Sequence, residues 1–130
     1  MTFIIDTNIL VRAIVQDHAE EAERAKALLS ANEVVIPTHV FCELTWVLSR
    51  VYKLSHSDLI EVISAWSDTE GVVVDTAAVA AGLAVMKRGG DFADGVVAFE
   101  GRRLGGSVFA TFDRRASRIL GAEGHECRLV

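Results

Sequence analysis

The 130-residue chain is 51% hydrophobic and carries a formal net charge of −5. That is enough apolar material for one domain, residues 1–130, with a real core. The acidic balance argues against a protein that coats nucleic acid wholesale. A bilayer span is also excluded in the middle of the chain, where the longest uncharged stretch, 76–86, has 11 residues against the roughly 20 that spanning takes.

In chain order, "TFII" (2–5) predicts a strand, and Asp6 stands where it ends. Helical patterns follow near 8–15 and 18–31. "EVVI" (33–36) predicts a second strand, closed by Pro37, the sole proline, and helices near 38–53 and 57–69 come next. "GVVV" (71–74) predicts a third strand, followed by helices near 76–88 and 92–104. "SVFAT" (107–111) predicts a fourth, then a helix near 114–120 and a last strand at 126–129. Strands alternating with helices imply an α/β fold whose parallel sheet is covered on both faces. In such sheets ligands bind beyond the carboxyl ends of the strands. "DHAE" (17–20), "SHSD" (55–58) and "DFAD" (91–94) read as helix caps followed three residues later by an acid.

Four acids invite a second reading beside capping. Asp6 and Asp113 each follow an apolar strand, a Thr lies one or two positions from each, and each can cap the helix it precedes. Glu43 lies well inside a helical pattern. Val40, Phe41, Leu44, Val47, Leu48 and Val51 form the apolar stripe there, and Glu43 sits on its edge. It cannot be a cap, so it needs a donor or a cation, and His39 stands at i−4. Asp94 can be the third helical residue of a capping box begun by Asp91. If the fold brings these acids together, they repel one another and raise one another's pKa unless a cation holds them. Hard oxygen ligands select Mg²⁺ or Mn²⁺, ions that serve phosphodiester hydrolysis.

Charge is unevenly spread. Residues 1–86 hold 5 basic and 12 acidic groups, net −7, whereas residues 87–130 hold 8 basic and 6 acidic groups, net +2. Arg102, Arg114 and Arg115 are among the latter. They read either as solvated helix faces or as a phosphate-binding rim. Cys42 and Cys127, far apart in apolar contexts, are expected to be buried thiols in a reducing cytoplasm. The N-terminus shows no basic stretch followed by a cleavage signature, which fits that location. The excess of apolar residues predicts an oligomer. The four histidines show no ligand spacing with the cysteines, so no zinc site is expected.

"IIDTNIL" (4–10), "CELTWVL" (42–48), "GGDFADGVVA" (89–98) and "VFATFDRRASRI" (108–119) together resemble, in order, the motifs of PIN-domain ribonucleases, and within them the VapC-type toxins of toxin–antitoxin pairs. The resemblance implies a three-layer α/β/α sandwich whose mostly parallel five-stranded sheet has the order 3-2-1-4-5. It implies a Mg²⁺- or Mn²⁺-dependent endoribonuclease acting on RNA, usually a homodimer, neutralised by a cognate antitoxin. The family's four acids fall on Asp6, Glu43, Asp94 and Asp113, its polar helpers on Asn8 and Thr111, and a less essential acid on Asp91. The basic pair of the last motif falls on Arg114 and Arg115, with Arg102 a further candidate for phosphate. One departure is Gly95, where alanine more often follows the acid; glycine lowers helix propensity by about 1 kcal/mol and brings local rigidity into question. A non-catalytic PIN-like binding module is the competing reading; loss of an acid would mark it, and all four acids are present.

Overall fold

All five expected strands and all seven expected helices form in the computed structural model, which describes residues 1–130. Two compact units divide the chain at Asp75 and Thr76.

In the first unit the order is β1 (Thr2–Ile4), α1 (Thr7–Val15), α2 (Ala19–Ala31), β2 (Glu33–Val35), α3 (Thr38–Arg50), α4 (His56–Ser67) and β3 (Val72–Val73). The three strands are parallel with β2 central, in the register Phe3↔Val34 and Val34↔Val72. Val34 is fully buried there, and Ile5, Leu10, Ile36, Phe41, Leu44, Leu48 and Ile63 complete the core. The stripe expected on α3 buries Val40, Phe41, Leu44 and Leu48, but Val51 is 58% exposed. The helix stops at Arg50, short of the expected residue 53, because Lys53 turns left-handed (φ 61°) and the Leu54 N–H reaches back to the Leu48 carbonyl at 3.0 Å. That closing bond satisfies an orphan helix carbonyl and throws Val51 out of the buried face.

The second unit runs α5 (Thr76–Lys87), α6 (Phe92–Arg103), β4 (Val108–Thr111), α7 (Arg114–Ala122) and β5 (Glu126–Leu129). β4 and β5 are parallel, from Val108↔Glu126 to Thr111↔Leu129. Val85, Ala98, Ile119 and Leu120 form its core, with Phe109 and Cys127 packed against them. The strands of the whole chain thus form two sheets, in the orders β1-β2-β3 and β4-β5.

Glycine sets the spacing of α5 and α6. A Cβ on Gly95 would lie 2.5 Å from the Ala81 carbonyl oxygen, and one on Gly82 would run into the buried Phe92 ring. Gly95 is therefore no loosening of α6: the absence of a side chain lets the two helices touch. No helix is long and apolar enough to cross a membrane. Cys42 and Cys127 are both thiols, half-buried where full burial was expected.

Candidate active site

The residues of interest fall in both units. In the first, the chain leaves β1 through buried Ile5, and Asp6 caps α1 by accepting from the Thr7 N–H at 2.7 Å on Oδ1. Thr7 is itself buried, and its hydroxyl donates to Glu43 Oε1 at 3.2 Å. One residue thus ties the strand-end acid to the helix acid. Glu43 Oε1 also stands 3.3 Å from His39 Nε2, the i−4 pairing expected from sequence, with the Glu43 side chain 52% exposed. Asn8 is exposed on the first turn of α1.

The second unit is more crowded. Asp91 occupies the N-cap position of α6, yet its side chain makes no capping hydrogen bond. The expected capping box with Asp94 is not formed; backbone bonds from the Asp94 N–H, 3.1 Å, and the Gly95 N–H, 3.4 Å, to the Asp91 carbonyl close the turn. The Asp94 carboxyl is half-buried, and its pKa is raised by burial first, then by Asp91 and Asp113. No cation offsets these effects. A similar cap fails at 17–20: Asp17 makes no cap for α2, His18 stands at the N-cap, and Asp17 instead accepts from the Tyr52 hydroxyl at 3.2 Å. The cap at Ser55 and Asp58 forms in full.

Asp113 caps α7, accepting from the N–H groups of Arg115 at 2.9 Å and Ala116 at 3.0 Å. Both bonds fall on Oδ1, as the single bond to Asp6 does, so each capping acid keeps its second oxygen for another partner. Thr111 Oγ1 accepts from the Asp113 N–H at 3.0 Å and fixes the turn out of β4. Arg115 donates to the Gly89 carbonyl, which ties the start of α7 to the loop before Asp91, while Arg114 is exposed on the first turn. Arg102 stands elsewhere. It is on the last turn of α6, about 12 Å along the axis from Asp94 at 1.5 Å per residue, in a groove it shares with His125.

Neither unit by itself gathers three acidic, His or Cys side chains closely enough to cage an ion. The donor chemistry does fit a hard divalent cation: carboxylates with spare oxygens, one of them held above its ordinary pKa by burial and by two other acids. The PIN domain family matches residues 3–121, 119 of the 130 positions. The chain belongs to the PIN-domain family. PIN domains are generally nuclease modules, typically metal-dependent, and often occur in toxin–antitoxin systems. No curated protein and no solved structure matches the chain.

Sequence reasoning missed Thr7 as the link between Asp6 and Glu43. The signal was present in "DTN": a small hydroxyl residue directly after a strand-end acid faces inward as the helix starts.

Proposed function

We propose that this PIN-domain protein is a Mg²⁺- or Mn²⁺-dependent endoribonuclease, the VapC-type toxin of a toxin–antitoxin pair, in which Asp6, Glu43, Asp94 and Asp113 together hold the metal. The observation that carries the reading is Asp94. Its capping role fails, and its carboxyl is instead pushed toward protonation by burial, Asp91 and Asp113. A bound cation would favour the charged form of a carboxylate crowded in this way. A bound divalent ion would supply the charge that ionises a water and neutralises the phosphodiester oxygens.

The chain's own residues do the rest. Thr7 orients Glu43 and fixes Asp6 through its hydroxyl and N–H. Thr111 and the cap at Asp113 set the direction of the last acid. Asn8, on the first turn of α1, positions a water or phosphate oxygen, and Asp91 assists Asp94. Arg114 meets RNA phosphates, a role suited to its planar fork; Arg115 braces the loop at Gly89 and shares that charge. Arg102, at the far end of α6, takes phosphates of a longer RNA. The same reading makes residues 1–130 one domain, a three-layer sandwich with the sheet order 3-2-1-4-5, working as a cytoplasmic homodimer neutralised by its antitoxin.

The test is metal dependence. Mg²⁺ or Mn²⁺ should raise the melting temperature of the metal-free protein, and cleavage of RNA should need the ion. Undiminished cleavage in excess EDTA overturns the metal site. Metal-dependent stabilisation without any RNA cleavage favours the non-catalytic binding module.

A further inference from the structure

We infer that Arg115 is a positioning residue of the metal centre: through the Gly89 carbonyl it holds the start of α6, with Asp91 and Asp94, at the end of α7 that Asp113 caps. The inference rests on the metal-dependent reading above.

The link between α5 and α6 is short and closely specified. α5 closes with the Gly89 N–H on the Met86 carbonyl at 2.8 Å and the Gly90 N–H on the Val85 carbonyl at 2.9 Å. These are the paired bonds of a helix stop built on a left-handed residue, and Gly89 supplies that residue with φ 85°. Asp91 follows at once at the N-cap of α6. Whatever holds residues 88–90 therefore sets where α6 begins.

One stripe of α7 holds all three. Arg115, Ile119 and Glu123, the last at the C-cap, are four residues apart and share a face. Glu123 pairs with Arg88. Ile119 lies so close to Gly90 that a Cβ there would come within 3.2 Å of it. Arg115 donates to the Gly89 carbonyl, and a Cβ on Gly89 would stand 2.9 Å from the guanidinium. The backbone N–H of the same arginine donates to Asp113 Oδ1 at 2.9 Å. One residue thus grips Asp113 by its main chain and the loop before Asp91 by its side chain. Asp91 and Asp113 both disfavour the charge on Asp94. Like charges therefore push the start of α6 away from α7. A charge-assisted bond across the gap opposes that separation.

The experiment titrates the full chain with Mn²⁺ alone, without RNA, by calorimetry well below the metal-free melting temperature. Arg115→Met keeps an unbranched stem and removes the donors. Its Mn²⁺ affinity should fall about tenfold, the lower end of what a lost supporting partner of a metal ligand costs. Charge alone predicts the opposite sign, because taking a cation away from an acidic centre tightens its hold on another. Arg115→Lys keeps the charge and a donor, so it should stay within about threefold of the wild type. The exposed position lets both variants fold, which their melting curves check. Unchanged or tighter Mn²⁺ binding by Arg115→Met overturns the positioning role alone and leaves Arg115 a phosphate contact, which metal binding without RNA does not register. A loss in Arg115→Met that Arg115→Lys does not reduce overturns it as well, since a carbonyl accepts from either donor. A wild type that binds no Mn²⁺ and cleaves no RNA overturns the metal-dependent reading, and the positioning role with it.

Discussion

The two units treat their acids in opposite ways. Residues 1–75 are strongly acidic overall, yet Asp6 and Glu43 are met by neutral donors from Thr7 and by the His39 ring. Residues 76–130 are mildly basic overall, with arginines on α6, α7 and β5, yet Asp94 is surrounded by Asp91 and Asp113 and pushed toward its neutral form. Net charge therefore says little about a site. Local placement decides, and the second unit commits its basic groups elsewhere: Arg88 to Glu123, Arg103 to Glu100 and the Phe99 ring, Arg115 to Gly89. In the first unit Glu43 and Asp6 are oriented by hydrogen bonds from Thr7, whereas in the second burial and two other acids disfavour the charge on Asp94.

The sharpest way to break this comparison is to neutralise one acid in each unit. Asp94→Asn and Glu43→Gln should both reduce RNA cleavage by more than the roughly 10–100-fold that loss of a metal ligand's supporting partner costs. They should part company without metal. Asp94→Asn removes a repelled, half-buried charge, so the apo melting temperature should hold or rise. Glu43→Gln keeps an oxygen that can accept from Thr7 but loses the charge that faces the His39 ring, so it should hold or fall. A destabilised but fully active Asp94→Asn protein would make Asp94 structural, and the disfavoured charge would then have no function.

A second prediction concerns how the crowding is built. Gly95 lets α6 approach α5 next to Asp94. Gly95→Ala should cost about 1–3 kcal/mol through overpacking, although alanine favours helix by about 1 kcal/mol. Gly101 on the same helix has nothing within 4 Å of the Cβ it would gain. Gly101→Ala should therefore stabilise by up to about 1 kcal/mol. Chemical denaturation of both variants measures the pair. Equal signs would mean that the close approach does not constrain the helices.

A smaller effect is expected at the basic end of the site. The double variant Arg114→Ala, Arg115→Ala should weaken RNA binding and flatten its dependence on log salt by roughly 0.7 for each phosphate no longer neutralised. Arg24, on α2 of the acidic unit, is the control and should leave the slope unchanged. An unaltered slope in the double variant would remove both arginines from the RNA path.

Element type and order were legible because strand and helix periods alternate cleanly and each run ends on a turn signal. The ends of α3 were not: nothing in "SRVYKLS" announces that a lysine rather than a glycine will take the left-handed position. Asp6 and Asp113 were legible as strand-end acids and as caps, and they are caps. Asp91 and Asp94 show the limit of motif reading. "DFAD" fits a capping box as well as "SHSD" does, but only the serine turns its side chain onto the backbone. Gly95 misleads because helix propensity is a local quantity, whereas its job is set by Ala81 and Gly82 on another helix.

The smallest expected effect extends the contrast to pH. His125 lies half-buried in the groove with Arg102, and its pKa is lowered by burial first and then by Arg102, with Glu123 opposing. A lowered pKa means the unfolded chain takes up the proton before the folded one. Stability is therefore unaffected well above the ordinary histidine value of about 6.5 and declines as pH falls below it. Asp94 has the opposite sense: its raised pKa means the folded state holds the proton longer, so stability declines as pH rises through and beyond the ordinary carboxylate range. Between the carboxylate and histidine ranges both losses have been incurred, so the two groups together lower the stability of the metal-free protein there relative to either side. His125→Gln should remove part of the decline on the acid side between about pH 6.5 and 5, where few carboxylates titrate. Asp94→Asn should remove part of the decline that accompanies rising pH through the carboxylate range and leave the histidine step alone. Melting temperatures of the three proteins across both the carboxylate and the histidine ranges, in EDTA, decide the matter. A His125→Gln profile parallel to wild type would place the acid-side loss outside this groove, and an Asp94→Asn profile parallel to wild type would remove the charge penalty assigned to the second unit.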